Sequence, residues 1–342
     1  MARQVADVQI HAEEDSEELT SYVEISVDLI DDGLYLGNLA CARDYKTLER
    51  LQIIHILTID VVPLPRTILE RTNLVFCYVK LADVPKEDLI SHLPETNNFI
   101  KQALRDGGTV LVHCHYGVSR SAAVVIGYIM EKYGLCYEEA FTLVKSKRQF
   151  VGPNVGFIAQ LKLFGHMGYS LNKDDPRFKQ FRLKLAGQKL KQVKILPQLF
   201  ADLVKPDPGL VRERPDPIVY RCKKCRRIVA NQSNIIPHVP KDVKVERAKK
   251  GNARPSSSAP ARADLPDICR LMWFVEPMSW MRDVTHEPQG KLHCPKCLNK
   301  IGSFSWIMGC KCPCGQKVAP AFYLVPSKVE WSNIVQNVQR TV

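Results

Sequence analysis

One segment constrains the fold of this chain more than any other. The apolar run TVLVH at 109–113 is followed by Cys114, a short turn containing Gly117, and a helix-forming stretch that starts at Arg120. A strand that ends in a tight turn opening a helix points backbone N–H groups and the positive end of the helix dipole at one spot, so the segment predicts an anion-binding site. The same field and the charge of Arg120 favour the thiolate of Cys114 over its thiol. We therefore expect Cys114 to be a nucleophile and the planar fork of Arg120 to hold two phosphoryl oxygens.

The residues around this segment predict its domain. From about Tyr22 to Tyr169, the β-branched runs ISVDLI, IIHILTI, LVFCYVKL and TVLVHC alternate with helical stretches such as 89–105 and 120–133. Strands that alternate with helices of this length are typical of an α/β domain built on a central, mostly parallel sheet flanked by helices. Cys41, Cys77 and Cys136 are expected to be buried structural cysteines of this domain.

A thiolate that displaces an alkoxide or phenoxide needs a proton donor, and the later attack by water needs that proton back. The loop after LVFCYVKL offers three carboxylic acids, Asp83, Glu87 and Asp88. Asp88 is better explained as the N-cap of the next helix. Asp83 remains open between a general acid and a capping or solvated loop carboxylate.

The segment HCHYGVSRS at 113–121 resembles the His-Cys-x5-Arg-Ser/Thr signature of the cysteine-dependent protein phosphatases, in particular their dual-specificity branch. The resemblance implies that Cys114 attacks phosphorus to form a phosphocysteine, that Arg120 binds the phosphate and that Ser121 assists breakdown of the intermediate. It implies that His113 tunes the thiolate. The implied phosphate-binding loop consists of His115, Tyr116, Gly117, Val118, Ser119 and Arg120.

The same resemblance favours Asp83 as the acid, because Asp83 stands six residues before the apolar Leu89. It also covers GLYLGN at 33–38 and PNVGFIAQL at 153–161, where Asn154 and Gln160 are implied to brace the phosphate loop. Tyr116 departs from the small residue usual in close relatives and is expected to narrow the pocket mouth. Phosphoproteins are the expected substrates. Phosphoinositides, which rank lower because HYGVS contains no lysine, and RNA 5′ triphosphates remain alternatives.

The charge differs between the halves of the chain. Residues 1–170 hold 16 Lys and Arg against 22 Asp and Glu, and the remainder holds 32 against 14. We predict an acidic flexible tail at 1–21, a catalytic domain at 22–171, a basic proline-rich connector with one or two helical turns at 172–217, a cysteine-rich domain at 218–326 and a C-terminal tail at 327–342. A low-complexity loop at about 241–266 interrupts the cysteine-rich domain.

Three close cysteine pairs occur in the second half, and their spacing is typical of structural zinc sites. Two tetrahedral sites need eight ligands. Seven come from cysteines, and His238 is the candidate for the eighth, with Cys310 and His293 as rivals. The seven cysteines are Cys222, Cys225, Cys269, Cys294, Cys297, Cys312 and Cys314.

The segments YRCKKCR, FVEPMSWM, KLHCPKCLNKIGSFSW and CPCG resemble the C-terminal domain of the zinc-binding atypical dual-specificity phosphatases. The resemblance implies two zinc ions in a small, mainly β domain, and it implies that His238, thirteen residues after the first pair, is the eighth ligand. The phosphatase chemistry is expected to need no cofactor.

Partners and location are expectations from composition and resemblance. No secretory signal opens the chain, and its longest apolar run, at 122–130, is too short to span a bilayer, so we expect no membrane partner. We also expect a monomer that is located in the nucleus and cytoplasm. The basic half favours an RNA-rich partner, although charge runs are also common on solvated faces. The resemblance implies a role in assembly of the large ribosomal subunit, through the zinc domain and independent of catalysis.

Overall fold

The chain divides at Tyr169 into two compact units, which are described separately. The structure, a computed structural model, describes residues 24–210, 216–240 and 269–333. The predicted acidic tail and the predicted low-complexity loop lie outside these ranges. Within them, every helix is too short or too polar to cross a bilayer.

The first unit is built on a five-stranded sheet with strand order β1-β2-β5-β3-β4. The β1 and β2 strands are antiparallel, and all other neighbours are parallel. The strands are β1 (Val27–Asp31), β2 (Leu34–Gly37), β3 (His55–Asp60), β4 (Val75–Lys80) and β5 (Val110–His113). Because β5 is central, its side chains are buried on both faces.

Among the described residues of the first unit, seven α-helices and a short 3₁₀ helix (Ile90–His92) accompany the sheet and confirm the predicted α/β class. The α-helices are α1 (Leu39–Arg43), α2 (Tyr45–Arg50), α3 (Arg66–Leu69), α4 (Leu93–Arg105), α5 (Arg120–Tyr133), α6 (Tyr137–Lys147) and α7 (Val155–His166). The first eleven residues of α5 are all buried, which makes it the central helix. It ends at Gly134, whose left-handed φ of 66° is readily available only to glycine.

The second unit is mainly β, as predicted. A four-stranded sheet has the order β8-β13-β10-β9, a three-stranded sheet the order β14-β6-β7, and β11 pairs with β12. The strands are β6 (Ile218–Cys222), β7 (Ile228–Asn231), β8 (Trp273–Phe274), β9 (Gln289–His293), β10 (Lys300–Ser305), β11 (Cys310–Lys311), β12 (Lys317–Val318), β13 (Ala321–Leu324) and β14 (Val329–Asn333).

The prediction that 172–217 is a connector with only one or two helical turns is wrong. Residues Pro176–Val193 form the long helix α8, and a 3₁₀ helix covers Gln198–Leu203. Apolar side chains of both helices, including Leu183 and Leu190, lie in the core of the second unit. The many basic residues hid the apolar face of this helix in the sequence. Pro176 does not break the helix, because it occupies the first turn, where its missing N–H is not needed.

The predicted boundary at residue 326 is also too early. Strand β14 lies within the predicted C-terminal tail and pairs with β6, from Val329 opposite Cys222 to Asn333 opposite Ile218. Val329 is fully buried. The second unit therefore extends at least to Asn333, because this strand completes the three-stranded sheet.

Candidate active site and metal-binding groups

Cys114 lies directly after β5 and before α5, as the sequence predicts. It is buried, and its Sγ accepts hydrogen bonds from the backbone N–H of Gly117 at 3.3 Å and from the hydroxyl of Ser121 at 3.1 Å. Hydrogen bonds of this kind are stronger when the accepting sulfur carries a charge. The position at the start of α5 adds the favourable end of the helix dipole.

Arg120 forms a buried ion pair that the sequence analysis missed. Its Nη1 donates to Oδ1 of Asp60 at 2.6 Å and, at 3.4 Å, to the carbonyl of Leu81. Asp60 is the last residue of β3, and the parallel pairing of β3 with β5 brings the carboxyl ends of both strands to one edge of the sheet. Arg120 Nε is buried without a hydrogen-bond partner among the described residues, so this donor remains available for an oxyanion.

His113 is buried beneath the cysteine and does not carry charge at neutral pH. Burial lowers the pKa of His113 to about 4. Its Nδ1 lies 3.4 Å from the carbonyl of Cys114 and its Nε2 lies 2.8 Å from Oγ1 of Thr58. Because a carbonyl only accepts, Nδ1 carries the proton and Nε2 accepts from Thr58. His113 thus contacts the backbone of Cys114 as a neutral ring.

Asp83 lies on the exposed loop after β4 and is tied to the phosphate loop. Its Oδ1 accepts hydrogen bonds from Oγ of Ser119 at 2.6 Å and from Nδ2 of Asn154 at 2.9 Å. Oγ of Ser119 in turn accepts from the backbone N–H of Asn154 at 3.1 Å. These bonds bring together the loop carboxylate, the phosphate loop and the start of α7.

Gln160 braces the loop that follows Asp83, and not the phosphate loop as the resemblance implied. Its Oε1 accepts from the backbone N–H groups of Leu89 and Ile90, at 2.9 and 3.0 Å, and its Nε2 donates to the carbonyl of Glu87. The predicted capping role of Asp88 fits the structure, because its Oδ1 accepts from the backbone N–H of Ser91.

Arg148 forms a hydrogen bond to the backbone of the phosphate loop, and the sequence did not predict this role. Arg148 Nε donates to the carbonyl of Gly117 at 3.0 Å, and Nη1 donates to Oδ2 of Asp28 at 2.6 Å. Gly117 has a φ of 70°, and a Cβ there would lie 2.5 Å from the carbonyl oxygen of Gly37. The loop therefore requires glycine at this position for both conformation and space.

The other loop residues differ in exposure. Gly117 and Ser119 are buried and Val118 is half-buried, whereas His115 and Tyr116 are exposed. Tyr116 is 62% exposed and contacts the ring of His115 edge-on. Of the other cysteines of the first unit, Cys41 is fully buried as predicted, and burial raises its pKa to about 12. Cys77 is half-buried, and the prediction is wrong for Cys136, which is exposed.

The first metal-binding group consists of Cys222, Cys225, Cys294 and Cys297, whose ligand atoms all lie within 4.8 Å of one another. The Sγ atoms of Cys222 and Cys297 are 3.7 Å apart, and those of Cys225 and Cys294 are 3.5 Å apart. Sulfurs around a tetrahedral zinc with bonds of about 2.3 Å are separated by roughly 3.8 Å. The group therefore fits a Cys₄ zinc site. Cys222 is the last residue of β6.

Both cysteine pairs of this group form the same turn. Arg226 donates its backbone N–H to the carbonyl of Cys222, and Leu298 does the same to Cys294. Arg226 and Leu298 both have a positive φ, of 61° and 56°. The repeated geometry explains why each pair presents its two sulfurs to one point.

The second group consists of His238, Cys269, Cys312 and Cys314, again within 4.8 Å of one another. The Sγ atoms of Cys269 and Cys312 are 3.7 Å apart. Nε2 of His238 is buried and has no hydrogen-bond partner among the described residues, which leaves a ring nitrogen for a metal. The donor set and spacing fit a Cys₃His zinc site.

The rivals of His238 lie outside both groups. Sγ of Cys310 contacts Sδ of Met272 at 3.8 Å. Two tryptophans, Trp280 and Trp306, are buried in the core of the second unit, and each indole N–H donates to a backbone carbonyl there. Trp273 is half-buried and contacts Tyr220 edge-on.

Comparisons with known proteins agree with this geometry. Residues 34–167 match the family model described as dual specificity phosphatase, catalytic domain. The chain is 45% identical to dual specificity protein phosphatase MPK-4 of Drosophila melanogaster, over 93% of this chain and 91% of that protein. It is 36% identical to dual specificity protein phosphatase 12 of Mus musculus, over 87% and 86%, and 34% identical to its Homo sapiens namesake, over 89% and 88%. The chain therefore belongs to the atypical dual specificity phosphatases of the protein tyrosine phosphatase superfamily.

Proposed function

We propose that the dual-specificity phosphatase reaction of this chain takes place at Cys114 and is completed by Arg120, Asp83 and Ser121. The observation that carries the proposal is the sulfur of Cys114, which is buried at the start of α5 and accepts hydrogen bonds from Gly117 and Ser121. Substrates are phosphotyrosine and phosphoserine or phosphothreonine residues of proteins.

In the first step, the thiolate of Cys114 forms a bond to phosphorus while the bond from phosphorus to the ester oxygen breaks. Asp83 gives its proton to the leaving oxygen, and Arg120 binds the equatorial phosphoryl oxygens. In the second step, the Asp83 carboxylate takes a proton from water, which attacks phosphorus and releases inorganic phosphate. The hydroxyl of Ser121, which donates to Sγ, stabilises the departing thiolate.

The test compares two variants on two substrates. Cys114→Ser should abolish turnover of p-nitrophenyl phosphate and of a phosphotyrosine peptide, because a hydroxyl is a far weaker nucleophile at neutral pH. Asp83→Asn should lower kcat on the phosphopeptide by about 100-fold or more, and less on p-nitrophenyl phosphate, whose leaving group needs little protonation. Cys136→Ser, at an exposed cysteine, is the control. Wild-type rates for Cys114→Ser would contradict the proposal.

We also propose that the two metal-binding groups of the second unit hold structural zinc. The support is the fit of the sulfur separations and of the unpaired Nε2 of His238 to tetrahedral ligation. Zinc would join parts of the chain as far apart as Cys222 and Cys297 and so stabilise the fold of this unit.

A partner-binding role for the basic second unit, with a pre-ribosomal particle or another RNA-rich partner, stays a prediction, as does location in the nucleus and cytoplasm. Co-sedimentation with pre-ribosomal particles at moderate salt tests the first. Sedimentation of all the protein as a free monomer, in nuclear and cytoplasmic extracts alike, would contradict it.

A further inference from the structure

Five exposed apolar side chains stand next to the residues of the active site. Their exposed fractions range from 45 to 74%. All five are β-branched or aromatic, and four of them lie in loops, where polar residues are common. We call this set the apolar rim. Its members are Val61 (46%), Val62 (64%), Val84 (45%), Tyr116 (62%) and Val155 (74%).

The rim residues are far apart in sequence but are anchored to one place. Val61 and Val62 follow Asp60, which is paired with Arg120. Val84 follows Asp83, which accepts from Ser119 of the phosphate loop. Tyr116 is itself part of that loop. Since consecutive Cα atoms are about 3.8 Å apart, each rim residue lies within one or two residues of an atom bonded to the phosphate loop.

Val155 joins the same set from another element. It follows Asn154, whose side chain donates to Asp83 and whose backbone N–H donates to Ser119. The loop after β4 also packs closely on the start of α7, because a Cβ on Gly156 would lie 1.9 Å from the carbonyl oxygen of Pro85. Val84 and Val155 therefore flank one contact at the edge of the site.

The loops carrying Val61 and Val84 are joined to each other as well. Leu81 donates its backbone N–H to the carbonyl of Asp60 at 3.2 Å, and its own carbonyl accepts from Arg120. Single exposed apolar residues are ordinary, but several of them clustered beside one site indicate a surface that contacts a ligand.

A substrate in the pocket must bring its own chain across this rim. The phosphorylated residue is covalently part of a polypeptide, and two residues on either side reach about 7 Å in an extended chain. These flanking side chains would meet Val62 and Val155. Burying apolar side chains against them is favourable, whereas charged or polar flanks lose hydration without gaining partners.

We propose that the apolar rim selects protein segments in which apolar side chains flank the phosphorylated residue. This inference rests on the proposed function of Cys114 and names the substrate class of that site. The phosphate and its ester bond are recognised by the phosphate loop, and the neighbouring residues of the substrate are recognised by the rim.

The test uses two phosphotyrosine peptides of equal length and net charge, one with Val and Leu at the two positions on either side and one with Ser and Asn there. The full-length wild-type chain should hydrolyse the apolar peptide with a kcat/KM roughly tenfold higher. The double variant Val62→Ser/Val155→Ser should reduce this ratio to about two or less. Its kcat/KM on p-nitrophenyl phosphate, which has no flanking residues, should stay at the wild-type value.

The matched control is Leu29→Ser/Val75→Ser, which removes two apolar side chains that are each 50% exposed. Val75 lies at the start of β4, at the opposite end of the strand from the loop of Asp83. The control should keep the wild-type preference. Equal rates of wild type on both peptides, or equal losses by the double variant on all three substrates, would overturn the proposal. Activity on p-nitrophenyl phosphate separates either result from failure of Cys114 as nucleophile.

Self-association is the competing use of this surface. Sedimentation velocity over a range of concentrations should give the same monomeric species for wild type and the double variant. A wild-type dimer that the double variant abolishes would assign the rim to a second copy of the chain and overturn the proposal.

Discussion

At the scale of single residues, the ion pair between Asp60 and Arg120 makes a testable claim about stability. Asp60→Asn keeps the shape of the side chain but leaves the buried guanidinium without its counter-charge. We expect the free energy of unfolding of the first unit to fall by about 3–5 kcal/mol. Urea unfolding followed by helix circular dichroism measures it, because seven of the eight α-helices in the described residues belong to this unit.

The double variant Asp60→Asn/Arg120→Met provides the control for this pair. Removing both charges takes away the uncompensated charge as well as the attraction, so the double variant should be more stable than Asp60→Asn alone. A double variant whose stability loss equals the sum of the two single losses would mean that the side chains do not interact.

His113 predicts a pH dependence of the same unit. Its pKa falls from an ordinary 6.5 to about 4, so between these values the unfolded state binds more protons and stability decreases as the pH falls. From pH 7 to pH 5, the wild type should lose roughly 2 kcal/mol more than His113→Asn, which cannot titrate. The measurement is the urea midpoint of both proteins at both values. Parallel losses in the two proteins would show that His113 titrates normally.

At the scale of elements, α8 tests whether residues 176–193 belong to the fold of the second unit. A Cβ on Gly187 would lie 2.6 Å from the carbonyl oxygen of Trp306, which is a backbone atom and cannot move aside easily. Gly187→Ala should therefore lower the free energy of unfolding of the second unit by about 1–3 kcal/mol, although alanine favours helices. Tryptophan fluorescence during urea unfolding is the readout.

Lys191→Ala is the control within α8. Lys191 is exposed on the last turn, so its removal should change the same midpoint by less than about 0.5 kcal/mol. If Gly187→Ala were neutral or stabilising, α8 would not pack against Trp306, and 172–217 would be a connector as the prolines predicted.

At the scale of the whole molecule, metal removal should affect the two units differently. All four tryptophans, at positions 273, 280, 306 and 331, belong to the second unit, whereas Cys114 belongs to the first. A chelator with a thiol reductant should expose the tryptophans and red-shift their fluorescence, because the ligands hold the second unit together. Turnover of p-nitrophenyl phosphate should remain within about twofold of its initial value.

Two controls make the chelation experiment decisive. Added zinc should restore the fluorescence, and Cys297→Ser should need less chelator than the wild type, whereas Cys310→Ser, outside both groups, should not. Parallel loss of activity and fluorescence would contradict independent units. Unchanged fluorescence would contradict structural metal.

The strand, turn and helix around Cys114 could be predicted because each depends on neighbouring residues: β-branched runs, a glycine turn and a helix-forming stretch. The prediction for residues 172–217 was wrong because their place in the fold depends on distant residues. Their prolines and lysines read locally as a connector, and only the burial of Leu183 and Leu190 shows that the helix belongs to a core. Strand β14 was missed likewise, since its pairing with β6 joins residues more than 100 positions apart.

Local sequence patterns were enough to predict the candidate site residues: a cysteine and an arginine on either side of a helix start, a loop carboxylate after a strand, and cysteine pairs at metal-ligand spacing. The contacts between distant residues could be read only from the folded chain. The tertiary structure placed Asp60 on Arg120 and Arg148 beneath Gly117, and it divided eight ligands into two groups. The physical reason is that the cysteine, its turn and each cysteine pair involve residues only a few positions apart in the sequence. Ion pairs and complete ligand sets depend instead on strand order and register, which no local pattern specifies.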